Sequence, residues 1–105
     1  MNASLYRAEL VENTPQRVVV AVSFGELSTN DEIVPSALAA IASLPLAGGP
    51  MILFSGPMSL PVAFAIAHAV AHRYGVVGIF DPKLSAYVVA ISHDPAHALG
   101  SLLPI

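Results

Sequence analysis

Between Glu32 and Arg73 lie 40 consecutive residues without an Asp, Glu, Lys or Arg. A run of that length raises a membrane span first, since a spanning helix needs about 20 unbroken apolar residues. Here Pro35, Pro45, Pro50, Pro57 and Pro61 cut the run, with Gly48, Gly49 and Gly56 between them. It is therefore read as several short buried elements, with no membrane span. The same shortage of charge holds for the whole chain, 10% charged and 55% apolar, against roughly 25% and roughly 45–50% in ordinary domains. At 105 residues the chain can build one core and not two. So few charges cannot cover such a domain, so the subunit is expected to hide apolar surface against copies of itself, as obligate homo-oligomers do.

Other classes are excluded by what is absent. No cysteine is present, so neither a disulfide framework nor a zinc ribbon is available. The N-terminal stretch "MNASLYRAELVENTPQ" lacks the basic start and apolar core of a signal peptide, and the cytoplasm is the expected compartment. A net charge of −3 leaves no basic stripe for the phosphates of long DNA or RNA. A small anion held by backbone amides is still open.

Residues 3–11 alternate loosely and read as a strand, and "RVVVAVSFG" (17–25) is a stronger one. A cap cluster, "STNDE", precedes a helix expected from Pro35 to Ser43. "MILFSG" opens with a fully apolar strand (51–54). In "SLPVAFAIAHAVAHRYG", Ser59 caps a helix, Pro61 falls in its first turn and Gly75 ends it. "VVGIF" (76–80) and "AYVVAISH" (86–93) are further strands, joined by the Asp81-Pro82 turn. The tail from Asp94 is expected to be irregular. The order is ββαβαββ, a single α/β domain with a mixed sheet. Strands 51–54 and 76–80 are expected to be parallel, joined by a right-handed crossover and covered on both faces.

This topology assigns the polar residues to two poles. Ser55 and Gly56 follow one parallel strand, and Asp81 and Lys83 follow the other, so all four share an edge with Ser59. The intervening helix carries His72 about 20 Å away at 1.5 Å per residue. The returning strand delivers His93 to that second pole, beside Arg73. A site that uses both His72 and Asp81 would have to form between subunits.

Each feature has a structural and a functional reading. "SGPMS" is an ordinary turn with a serine cap, or an anion site at a helix N-terminus. His68 and His72, four apart, share a helix face, either as core histidines or as metal ligands; the glutamate of an HExxH zinc site is missing. Asp81 starts a tight turn, and Lys83 in it is solvated or functional. His72 and Arg73 can simply complement a helix dipole. His93 and His97 are four apart in a loop, a weak metal signal.

Taken in order, the Ser55-Gly56 turn, "AHRYG", "VGIFDPKL", "AYVVAISHDP" and the closing Leu99-Gly100 make residues 48–105 resemble the Csx-three family of type III CRISPR-associated ring nucleases. The resemblance implies a domain related to the CRISPR-associated Rossmann fold, dimers that stack into a tetramer or filament, and cyclic tetra-adenylate as ligand. It implies phosphodiesterase opening of that ring, stimulated by manganese (Mn2+), with metal ligands unassigned. Its functional histidine falls on His72, its acidic residue on Asp81, its basic position on Lys83 and its Ser-His on Ser92 and His93. Its ligand-cradling Ser-Gly falls on Ser55 and Gly56, with Ser59 beside them. The chain departs from the family pattern at Lys83, where arginine is usual, at Ser85, and in the "SGPMSLP" loop. The alternative is a non-catalytic sensor of the same ligand; a third reading is an unrelated oligomeric scaffold.

Overall fold

The charge-free run supplies almost all of two helices and the whole of the strand between them. In the computed structural model, which describes residues 5–105, the chain runs β1 (Tyr6–Asn13), β2 (Val18–Phe24), α1 (Asn30–Ala42), β3 (Gly49–Ser55), α2 (Leu60–Val70), β4 (Tyr74–Asp81), β5 (Ala86–Ser92) and β6 (Leu102–Leu103). All six strands join one sheet in chain order. Pairing is parallel for β2–β3 and β3–β4, and antiparallel for β1–β2, β4–β5 and β5–β6. The expected mixed-sheet α/β domain is therefore the fold, with β6 added at its end.

Both crossovers step the same way along the sheet, from β2 to β3 and from β3 to β4. Right-handed connections repeated in one direction place their helices on one face, and α1 and α2 do pack against each other. The main core lies beneath them, built from Val18, Val20 and Val22 of β2, Ile52 and Phe54 of β3, and Ile33, Ala37, Ile41, Val62 and Ile66 of the helices. The cover expected on both faces is therefore supplied by helices on one face only. The opposite face carries Val19, Leu53 and Tyr87, and Leu103 of the tail packs against them. Arg17 ties that tail down: it donates to the Pro104 carbonyl at 3.0 Å, pairs with Glu12 at 2.9 Å and sits 5.9 Å over the Tyr87 ring.

Other boundaries also move. α1 begins at Asn30, five residues before Pro35, because the Thr29 carbonyl accepts from Glu32 and Ile33 and buried Ile33 anchors that turn. Pro35 then lies inside the helix, where it has no N–H for the Asp31 carbonyl. α2 stops at Val70, not Gly75: Tyr74, almost fully buried, is claimed by pairing with Gly49. The tail is not wholly irregular, since Tyr87 and Val88 pair with Leu103 and Leu102. Strand β1 is described from Tyr6, and the expected strand residues before Leu5 lie outside the described residues. Its residues alternate between inner and exposed positions, with a register shift between Leu10 and Glu12.

Gly56 has a structural task. Its φ is +119°, and a Cβ there would sit 1.9 Å from the Val22 carbonyl oxygen. Gly100 also has positive φ, +84°, but nothing lies within 4 Å of its would-be Cβ. Gly56→Ala is therefore expected to cost about 3 kcal/mol through strain and overlap. Gly100→Ala should cost about 1 kcal/mol through backbone conformation alone. Urea unfolding midpoints of the two variants compare them; equal losses would contradict this assignment.

Candidate functional site

The parallel pairing of β3 with β4 fixes the two poles. The C-terminal ends of β2, β3 and β4 share one edge, and β4 spans eight residues, roughly 23 Å at 3.3 Å per step. Ser55, Gly56, Ser59, Asp81 and Lys83 lie at the first pole. His72, Arg73 and His93 lie at the other. No subunit brings His72 and Asp81 together.

At the first pole the loop after β3 is held from below. Tyr6, fully buried, donates its hydroxyl to the Pro57 carbonyl at 2.7 Å. Burial pushes its phenol up to about 12. Ser59 caps α2, accepting from the Val62 N–H at 3.3 Å, and donates to Asn30 Oδ1 at 2.7 Å. The N-termini of both helices are thereby linked at one edge. Pro61 has no N–H, Val62 is used by the Ser59 hydroxyl and Ala63 by the Ser59 carbonyl. Among the first-turn amides, Leu60 alone is left by the cap and the proline. The helix-terminal anion cradle is thinner than the sequence suggests.

Asp81 opens a tight turn as expected: its Oδ1 accepts from the Lys83 N–H at 2.8 Å and its carbonyl from Leu84 at 3.2 Å. Ser85 completes the reversal in the left-handed region, φ 50°. Asp81 is half-buried and the Lys83 side chain is exposed. Beside them an open groove of about 800 Å³ is walled by Ile79, Phe80, Val88 and Ala90. A second cleft, about 460 Å³, is lined by Phe24, Leu27, Asn30, Ile33 and Ser59. The sequence did not single out Tyr6 or Asn30; the cap cluster "STNDE" carried the only signal for the latter.

At the second pole His72 is not on α2. It lies in the turn after the helix, so the expectation that His68 and His72 share a helical face fails. Its ring instead stacks beside that of His93, with centroids 6.3 Å apart and planes at 22°. His97 turns into its own loop: its Nδ1 lies 3.3 Å from Asp94 Oδ2, and Ser92 Oγ donates to the His97 and Asp94 carbonyls at 2.6 and 3.0 Å. The Ala96 N–H, followed by His97, holds the Asp94 carboxyl below its ordinary range. Among the described residues no group of three or more His, Asp or Glu side chains converges to hold a metal. None of the described helices is long and apolar enough to cross a membrane.

Tyr6→Phe checks the loop support. The raised phenol contributes stability that is complete below the unfolded value near 10 and lost as pH climbs through about 12. Wild-type stability should therefore fall between those values, and the variant should lack that component. It should also lose about 1 kcal/mol at neutral pH with the hydrogen bond. Denaturant unfolding at neutral and high pH reads both.

The family model for the CRISPR-associated protein Cas_csx3 matches residues 26–104. It thus takes in nearly all of the two-helix, six-strand fold beyond the first hairpin, starting well before residue 48. No curated protein matches the chain.

Proposed function

The chain belongs to the family of the CRISPR-associated protein Cas_csx3, and from that premise we propose that it is a ring nuclease that binds and linearises cyclic tetra-adenylate. The observation that carries this reading is the separation of an imidazole pole from a pole bearing Asp81, Lys83 and an apolar groove. Head-to-tail stacking of subunits or dimers closes one pole on the other around the ligand, and so completes a site that one subunit lacks. Adenine bases suit the apolar walls of the groove, and the adjacent Lys83 ammonium suits a phosphate. The cytoplasm, where such a messenger is made, is the proposed compartment.

In the reaction the ribose 2′-hydroxyl gives up its proton as its oxygen bonds to the adjacent phosphorus, and the P–O5′ bond breaks with O5′ taking a proton from water, leaving a 2′,3′-cyclic phosphate and a 5′-hydroxyl. Attack by water on the same phosphorus gives a linear phosphate instead. The exposed imidazole of His72 accepts the nucleophile's proton. Asp81 orients the attacking group through its second carboxylate oxygen, and Lys83 offsets the charge that builds on the phosphate. Manganese, which the family relationship implies, finds no group of three His, Asp or Glu donors among the described residues of one subunit. A bound ion would have to be shared between copies or with the ligand's phosphates, where it would neutralise charge.

A non-catalytic sensor is the second reading. It is favoured by Lys83, a point charge where the family pattern has the bidentate fork of arginine, and by the thin amide cradle at α2.

Purified protein incubated with cyclic tetra-adenylate, with manganese or with EDTA, should yield linear products on chromatography. His72→Ala should keep binding and lose turnover on the order of 10²- to 10⁴-fold. A mixture of His72→Ala and Asp81→Ala proteins should regain activity through mixed stacks; no recovery at any ratio, with subunit exchange shown, removes the composite site. An intact ring that co-elutes with the wild-type protein favours the sensor, and an intact ring that does not bind removes both readings.

A further inference from the structure

One residue closes both ends of the turn that carries His72. His93 follows β5, and its main-chain N–H donates to the Gly75 carbonyl at 2.7 Å. Its ring Nε2 lies 2.9 Å from the Ala71 carbonyl oxygen. A carbonyl can only accept, so Nε2 carries the proton. Ala71 is the C-cap of α2 and directly precedes His72, and its carbonyl is among those a helix leaves without an internal partner. The two contacts therefore span the whole turn from Ala71 to Gly75. Across that span the two imidazoles lie side by side, 6.3 Å between centroids. The ring nitrogens of His72, in contrast, make no hydrogen bond among the described residues.

We infer that His93 is a positioning residue: it holds the backbone and ring of His72 for proton transfer and exchanges no proton with the substrate. The inference rests on the reading of His72 as the proton-transfer group of the proposed reaction. A base working through Nε2 of His93 would give up the contact with Ala71 that fixes the turn. Its Nδ1 is the one other basic atom, and a glutamine, which has no basic nitrogen, separates the two roles. The glutamine amide can place an N–H donor near the position of Nε2. Phenylalanine keeps a ring and removes the donor.

The test compares wild type with H93Q, H93F and H93A by two readouts. One is kcat and KM for opening of cyclic tetra-adenylate. The other, without ligand, is hydrogen exchange at the amides of residue 93 and of Arg73, whose N–H donates to the Val70 carbonyl at 3.0 Å within the same turn. H93A and H93F are expected to lower kcat on the order of 10- to 100-fold with little change in KM, as for a misplaced catalytic group, and to speed exchange at both amides. H93Q is expected to restore the protection and most of the lost turnover. An H93Q protein with a protected turn but the turnover of H93A would overturn the inference and make His93 a chemical participant. Equal exchange in all four proteins would show that no clamp exists. A wild-type protein that opens no ring would remove the proposed reaction, while the exchange measurement would still decide the clamp.

Discussion

The parallel ladder through β2, β3 and β4 is the constraint on which the rest of the molecule depends. Parallel neighbours need a crossover, and a crossover that keeps one hand and one direction commits both helices to the same face. It also gathers three strand ends, and the N-termini of both helices, at a single edge. The Ser59–Asn30 hydrogen bond and the Tyr6 hydroxyl on Pro57 follow from that gathering. So does the distance between the two polar groups of residues, which is simply the length of β4. No rearrangement of side chains within one subunit can close it.

The second face is completed by other means. With no helix above Val19, Leu53 and Tyr87, the chain brings its own tail back over them through Leu103. Arg17 makes that return specific. Its guanidinium grips both oxygens of Glu12, at 3.0 and 2.9 Å, lies over Tyr87 and reaches Pro104. A planar cation with donors in a fixed fork can hold both oxygens of one carboxylate, lie on a ring and reach a carbonyl at once, a geometry the compact ammonium of lysine does not offer. One exposed-looking arginine in the sequence is thus the joint between the first hairpin and the last strand.

What could be read in advance was whatever local chemistry decides. The β-branched run at Val18–Val20, the Ser59 cap, the Asp81 turn and the parallel pairing of β3 with β4 all follow from neighbouring residues. The two poles were legible because they depend on strand direction alone. The misses share a cause, which is competition from residues far away in the chain. Gly75 looked like a helix stop, yet Tyr74 is claimed by Gly49 across the sheet, and His72 leaves the helix with it. Pro35 looked like a first helical residue, yet buried Ile33 draws an earlier turn into the helix. The supporting contacts of Tyr6, Asn30 and Arg17 join residues between 29 and 87 positions apart and leave no periodic trace. The strand order put His72 and His93 at one pole, but nothing in the spacing of the four histidines indicates that these two rings stack.

The ends of the sheet bear on how copies can approach one another. One border is β1, whose exposed residues include Arg7 and Glu9 and whose pairing slips between Leu10 and Glu12. The other is β6, two residues long and followed by Pro104, which has no N–H to offer. Charged side chains, a bulged strand and a proline each discourage a further strand from adding by main-chain pairing. A chain this apolar would otherwise be at risk of uncontrolled growth into fibrils through its borders. With both borders blunted, contact between copies is directed to surfaces where side chains, and not bare backbone, decide who fits.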